Sequence, residues 1–353
     1  MTGTTTALPH CGGLLVLPHL RIQNANAISS PMTHGFPAMS AFLGFAWALG
    51  RKLAAENIPL RPVGIGVICH AHQEQVNDAG YVRTFHLSRN PVGKDGSTAA
   101  IVEEGRIHLD ITLVIGVNGG PSDNPLLREE AAQEALARRV GEIVASMRVA
   151  GGSVLPPVRG PGRRIRPELV RIAQDPEDAA KQFRALRRQW LPGFALVSRD
   201  DLLQQRLAQL RAQDPQAHAL DAWLDLARFN WRPRPASGGA PPPDGKVEWQ
   251  HDHDDGWIVP IPVGYGALSS LYPAGAVRHG RDQTTRMRFV ESLYSTGQWI
   301  APHRLTRLAD LLWYADHQPD AGLYRCRNDY RPLVPVPQSA PTGHAADKLL
   351  SFN

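Results

Sequence analysis

The stretch from Leu14 to Leu53 constrains the fold most, because two periodicities meet across one short polar segment. An apolar run, LLVLPHLRIQ, enters; NANAISSPMTHGFP crosses over; AMSAFLGFAWALGRKL leaves. Leu14 to Ile22 alternates and is apolar enough for a buried strand, with Pro18 demanding an edge position or a bulge because it lacks an N–H. Phe42, Leu43, Phe45, Ala46, Leu49 and Leu53 recur at helical spacing, which predicts a helix to about Glu56 with Ser40 as N-cap. Between them Asn24, Asn26, Ser29 and Ser30 place uncharged hydrogen-bonding groups at the mouth of a strand-to-helix turn. Two uses are open: the side chains cap the helix and close the turn, or they face a polar ligand.

The order that follows points to an α+β fold. Val63 to Cys69 is a short β-rich run, and 71–105 alternates around Asn-Pro and Lys-Asp-Gly turn signals, as expected of a projecting β-hairpin or thumb. Arg106 to Val117 alternates and then becomes continuously apolar, the pattern of a central strand. Asn124 and Pro125 precede a segment with acids early and arginines late, which predicts a second helix capped by Asn124; GGSVLP then supplies a fourth strand. The sequence β-α-β-hairpin-β-α-β is the ferredoxin-like, RRM-like plan, assigned to residues 14–156 with the thumb at about 71–105.

Residues 157–332 are expected to form a mixed helical and β half packed on that unit, with 1–13 and 333–353 disordered. Helices are predicted from Pro176 to Trp190, in DLLQQRLAQLRAQ and in HALDAWLDLARFNW, and an amphipathic helix in RLTRLADLLWYADHQ. LPGFALVSRD, Trp257 to Leu268 and GLYRCRNDYR read as strands, and Pro233 to Gly245 as a flexible Pro/Gly loop. Two segments are steeply basic. Arg159 to Trp190 holds nine Lys or Arg against four acids, and Val277 to Arg307 holds six arginines against Asp282 and Glu291.

Charge and motifs narrow the function. A net charge of +5 favours an anionic partner, nucleic acid before membrane. Cys11, Cys69 and Cys326 are far apart, so free thiols in a reducing cytoplasm are expected, and no apolar run is long enough to span a bilayer. Around Gly93-Lys94-Asp95-Gly96, Ser88 and Asp95 occupy positions where a phosphate loop needs Gly and Ser/Thr, so a turn tip is the better reading. The tract His251 to Asp255 lacks a partner cluster and is read as an exposed loop, so neither metal nor cofactor is assigned. No nucleophile motif accompanies His70 or His72. The RNP1 pattern of stacking aromatics is absent from strands one and three, so RNA binding would use polar loops and cations. Amides and hydroxyls at Asn24 to Ser30 suit base edges and 2′-hydroxyls; Arg83, Arg89 and Lys94 suit phosphates.

The blocks LRIQNANAISSPMTHGFPAMSAFLGF, LSRNPVGKDGSTAAIVEEGRIHL, GGSVLP, LPGFALVSR, GWIVPIPVGYGALSSLYPAGAVRHGRD, RFVESL, WIAPHR and LADLLWY resemble the second Csy subunit of the type I-F CRISPR surveillance complex. The resemblance runs from about Leu14 to Arg325 and implies a non-catalytic RNA-binding protein of the repeat-associated (RAMP) class. It implies binding to the 5′ handle of the CRISPR RNA, a heterodimer with the large Csy subunit, contact with backbone Csy subunits and proximity to target double-stranded DNA near the PAM. Carried over by position, Asn24, Asn26, Ser29 and Ser30 lie near the handle, and Arg83, Arg89, Asn90, Lys94, Ser97 and Thr98 on the thumb. The resemblance further implies that Arg278, Arg281 and Arg286 contact handle or duplex DNA. A competing class is RNA cleavage with His70 or His72 acting beside Tyr81 or Lys94; a third is a scaffold without RNA contact. The segments 157–166 and 233–245 lie outside the resembling blocks and receive no role from it.

Overall fold

The computed structural model describes residues 7–80, 82–89, 91–160, 162–228, 231–233, 249–251, 256–280 and 282–332. Tyr81, Asn90, Arg281, the loop positions 234–245, the acidic part of the His251 tract and the tail from 333 lie outside the described residues.

The first strand, β1 (Gly13–Asn26), runs beyond the expected end at Ile22 and takes in Asn24 and Asn26. It is a central strand, so Pro18 is accommodated by a bulge: the pairing register shifts between Leu17 and Leu20, and again between Ile22 and Ala25. His19 and Asn24 sit at these two irregularities with positive φ, 49° and 57°. Hairpin β2 (Ile28–Ser30) and β3 (Thr33–His34) follows. Helix α1 (Met39–Ala55) buries Met39, Phe42, Phe45, Ala46, Leu49 and Leu53, as the periodicity requires. Its N-cap is Ala38 without a side-chain bond, so Ser40 lies inside the helix and the capping role expected of it is not realised.

Strand β4 (Arg61–Glu74) is paired along its length with β9 (Arg106–Asn118), from Arg61 opposite Asn118 to Glu74 opposite Ile107. Residues 71–74 therefore belong to the central ladder, and the chain leaves it only afterwards. It then forms two short ladders, β5 (Val76–Asp78) with β6 (Arg83–Phe85) and β7 (Leu87–Arg89) with β8 (Ile101–Glu103), separate from the main sheet. After β9, Pro125–Leu127 forms a 3-10 turn and α2 (Glu130–Ala145) starts behind it, with Glu129 and not Asn124 at the N-cap. Pro at the first helical position had suggested an earlier start; the tight turn uses that position instead. β10 (Arg148–Val149) and β11 (Gly152–Leu155) are joined by Ala150 and Gly151, both at positive φ, as a two-residue hairpin demands. β12 (Glu168–Val170), unforeseen in sequence, pairs with Leu14 to Val16 of β1.

One face of the β11-β1-β9-β4 order is closed by α1 and α2, whose Phe42, Leu49, Val140 and Ile143 join Leu15, Leu17, Ile65, Val67, Ile111 and Leu113 of the strands in one core. Among the described residues the other face is covered at one end only. There Leu14, Val16, Ile68 and Val114 meet Phe183 and Leu186 of α3 (Pro176–Arg188) and Trp190. At the other end of the same strands that face is polar.

Strand β13 (Phe194–Ser198) joins the free side of β4 through Ile68 and Cys69. α4 (Asp200–Gln213) and α5 (Ala219–Leu226) form a small core around Leu203, Leu207, Trp223 and Leu226, and β14 (Trp231–Pro233) pairs with β15 (Trp249–His251). β16 (Ile258–Ala267) and β17 (Val290–Ile300) extend the sheet. Sequence reading did not foresee β17, which lies within the basic segment Val277 to Arg307. The expected helix from Arg304 to Gln318 is instead the four-residue α6 (Leu308–Leu311) followed by β18 (Trp313–Gln318), which pairs with β19 (Leu323–Asn328). The Trp313 indole, donating to the Leu196 carbonyl at 2.8 Å, holds the chain in the strand from there on, while fully buried Asp310 accepts from the Thr306 and Arg307 backbone N–H groups and caps the start of the short helix.

The complete order is β10-β11-β1-β9-β4-β13-β17-β16-β19-β18, and Trp313 of β18 pairs back to Ile65 of β4. The later strands thus close a circuit on the same edge of β4. Mixed α/β structure around one large antiparallel sheet is the observed class. No helix among the described residues is long and apolar enough to cross a membrane.

Candidate nucleic-acid interface

The polar end of the second sheet face follows from the alternation in β9. Ile107, Leu109 and Ile111 are buried under α1 and α2, so Arg106, His108, Asp110 and Thr112 face the other way. Register then adds residues from both neighbours: Arg21 lies opposite Asp110 on β1, and Gln73 opposite His108 on β4. Gln75 continues the row, its backbone N–H donating to the Arg106 carbonyl.

Asn24 is joined to this row by its conformation. At the second bulge its backbone N–H donates to His108 Nδ1 at 3.1 Å, and its side-chain amide meets that of Gln75 at 2.8 Å. The Gln75 amide also lies 2.7 Å from His108 Nε2. Asn24, Gln75 and His108 thus form a solvent-facing, uncharged cluster of donors and acceptors, the chemistry that reads a base edge.

Nearer the covered end, two histidines stack with ring centroids 4.1 Å apart. His19 Nδ1 lies 2.9 Å from Asp110, whose other oxygen accepts from Arg163; Arg163 also reaches the His19 ring at 3.3 Å. His70 Nδ1 donates to the Pro192 carbonyl at 2.6 Å, which leaves Nε2 to accept from the Thr112 hydroxyl at 2.7 Å. Burial pushes the His70 pKa down, against the Pro192 bond, so the ring is neutral with both nitrogens engaged. Gly193 makes the approach possible: a Cβ there would stand 2.9 Å from His70 Nδ1.

The other candidates are distributed differently. The Asn26 amide donates to the Ile28 carbonyl at 2.7 Å and accepts from the Ile28 N–H at 3.1 Å, closing the entry to the β2–β3 hairpin. Ser29 and Ser30 hydroxyls meet Thr33 Oγ1 at 2.7 and 2.6 Å within that hairpin. Of the four crossover residues only Asn24 belongs to the polar row, while the others close the turn. On the arm, Arg83 is paired with Asp78 at 3.1 Å, and Ser97 donates twice to Asp95, bonds that pull the Asp95 carboxyl below its usual range. Arg89, Lys94 and Thr98 are exposed, without a hydrogen bond or ion pair among the described residues. Arg278 and Arg286 are exposed on the loop between β16 and β17, where Asp282 caps Thr284 and Thr285 and Tyr272 pairs with Met287. No hydrogen bond, ion pair or ring contact among the described residues joins that loop to the sheet face or the arm. Asn90 and Arg281 lie outside the described residues.

Sequence reading missed His19, Arg21, Gln73, Gln75, Arg106, His108, Asp110 and Arg163 as neighbours. A signal existed for three of the set, Arg106, His108 and Asp110: in RIHLDIT every second residue is polar, which marks the outer face of a strand whose inner face is core. Among the described residues no three His, Cys, Asp or Glu side chains converge as a metal site requires.

Residues 15–326 match the CRISPR-associated protein family Cas_Csy2. A curated relative, CRISPR-associated protein Csy2 of Pseudomonas aeruginosa (strain UCBPP-PA14), is 49% identical over 317 residues, covering 88% of this chain and 94% of the relative. On both grounds the chain belongs to the Csy2 family of CRISPR-associated proteins, the second Csy subunit of type I-F systems.

Proposed function

We propose that this chain binds the 5′ handle of the CRISPR RNA without cutting it, as a ribonucleoprotein subunit paired with the large Csy subunit beside the PAM-recognition end and the target duplex. Residues 14–156 act as a ferredoxin-like unit of the RAMP class carrying a thumb that leaves the sheet after Glu74 and returns at about 105, and 157–332 pack on it. The strand order β11-β1-β9-β4 with α1 and α2 on one face supports that reading of the fold. The single observation that carries the function is the uncharged cluster of Asn24, Gln75 and His108 on an uncovered sheet face. It offers base-edge contacts where ring stacking is absent, and the exposed Arg89 and Lys94 of the arm offer phosphate contacts. The engaged, neutral His70 supports the non-catalytic reading, since neither ring nitrogen is free to move a proton.

Anisotropy titrations of handle RNA and a scrambled RNA across a salt series test this. Handle RNA is expected to bind more tightly than the scrambled strand, with log K falling by about 0.7 per phosphate contact for each decade of salt. Equal affinity for both strands, or salt-independent binding, counts against the proposal, and metal-independent cutting lost in His70→Ala replaces it with the cleavage reading.

A further inference from the structure

The segment 157–166 received no role from the family resemblance, yet its described residues, 157–160 and 162–166, are placed specifically. It leaves β11 where Leu155 pairs with Arg21 and returns as β12 where Glu168 pairs with Val16, so it arches along one edge of β1. Residues 157–167, PVRGPGRRIRP, contain four arginines and no acid. Arg163 stitches the arch to the polar face through Asp110 and His19. Arg164 stitches it to the end of α3 through Gln189. The arch itself cups an open cleft of about 510 Å³ lined by Arg159, Gly160, Arg163, Ile165 and Arg166, with Pro157 and Pro167 at its ends. Arg159 and Arg166 are exposed and have no acidic partner among the described residues, as are Arg184 and Arg188 on the adjoining helix end. The crowding is felt locally: burial, then Arg184 and Arg188, push the Arg187 pKa down.

Resting on the RNA-binding reading above, we propose that this cleft holds the phosphodiester backbone of the RNA strand as it leaves the polar sheet face, with Arg159 and Arg166 as its phosphate ligands. The continuity is geometric. Asp110, which anchors Arg163, is two residues along β9 from His108, a step of about 7 Å on one face, so bases at Asn24, Gln75 and His108 place neighbouring phosphates toward the arch. Guanidinium forks match phosphate oxygens, and prolines at both ends limit the freedom the loop loses on binding.

The test uses the full-length chain with fluorescent handle RNA and, separately, a fluorescent DNA duplex. The double variant Arg159→Gln/Arg166→Gln is compared with Arg128→Gln/Arg138→Gln, which removes the same charge from exposed positions around α2. The cleft variant is expected to lose about tenfold in RNA affinity and to flatten the salt slope by about 1.4, two single-strand contacts, while the control stays within about twofold. Wild-type protein that fails to bind handle RNA overturns the RNA-binding reading and this proposal with it. Wild-type binding with an unchanged cleft variant overturns the cleft alone. Equal losses in both variants reduce the effect to general charge, and a loss confined to the duplex transfers the cleft to DNA; either result overturns the assignment to RNA. Matching melting curves confirm that the cleft variant is folded.

Discussion

Two arginine-rich regions of this chain have opposite fates. Beyond α3, six arginines answer to a carboxylate of the same half: Arg199 meets Asp201 at 2.9 Å, Arg206 and Arg228 share Asp225, Arg307 meets Asp310 at 2.8 Å, and Arg325 and Arg327 meet Asp200 and Asp316 at 2.5 Å. In the arch and the end of α3, Arg159, Arg166, Arg184 and Arg188 have no such partner among the described residues. Composition alone ranks the two alike. What separates them is whether an acid has been folded beside the guanidinium, so paired arginines hold the fold and unpaired ones remain for an anionic ligand.

The sharpest way to break this comparison is to remove a buried acid. Asp310→Ala takes away the acceptor of the Thr306 and Arg307 N–H groups and leaves Arg307 without its carboxylate. Urea unfolding is expected to show a loss of about 2–4 kcal/mol, and a loss too small to resolve would mean that these pairs do not hold the fold. Asp225 gives a milder, pH-dependent version. Burial raises its pKa, but the bonds from Arg206 and Arg228 outweigh this and leave it depressed. A depressed carboxylate stabilises above its unfolded pKa of about 3.9 and loses that contribution as pH falls through the folded value. Asp225→Asn should therefore flatten the acid limb of the stability curve while lowering stability at neutral pH; an unchanged acid limb would assign acid sensitivity elsewhere.

On the open side, substitutions should move RNA affinity and leave stability alone. Asn24→Gly suits the positive φ at that position but removes the amide, so the melting temperature should hold while handle RNA loses affinity relative to scrambled RNA by about tenfold. Asn26→Ala should do the reverse, lowering stability by about 1 kcal/mol through the lost Ile28 bonds with little change in selectivity. Should Asn26 and not Asn24 carry selectivity, the division between turn-closing and ligand-facing amides is wrong. The smallest effect is expected for Arg89→Ala, a uniform weakening for every RNA and a salt slope lower by about 0.7.

Much of the first half was legible because its signals are local. Helical spacing from Phe42 to Leu53 and alternation from Arg106 onward need only a chain and a core to sort against. The failures came where a distant partner decided. Leu308 to Trp313 fits a helical pattern as well as the start of a strand, and the Leu196 carbonyl with the pairing of β19 selects the strand. Pro18 announced an irregularity, but that it is a bulge in a central strand depends on β9, β11 and β12 flanking β1.

By itself the sequence determined the principal elements through Leu155, namely β1, α1, β4, β9, α2 and β11, together with the polar character of the crossover and the two basic segments, because periodicity, turn chemistry and charge are properties of neighbours along the chain. Only the tertiary structure decided that the later strands close on β4, that Asn24 joins Gln75 and His108 while Asn26 closes a turn, and which arginines are paired. Strand register, and ion pairs such as Arg325 with Asp200, join residues up to more than a hundred positions apart, and no local pattern encodes which of several distant acids or strand edges a side chain will meet.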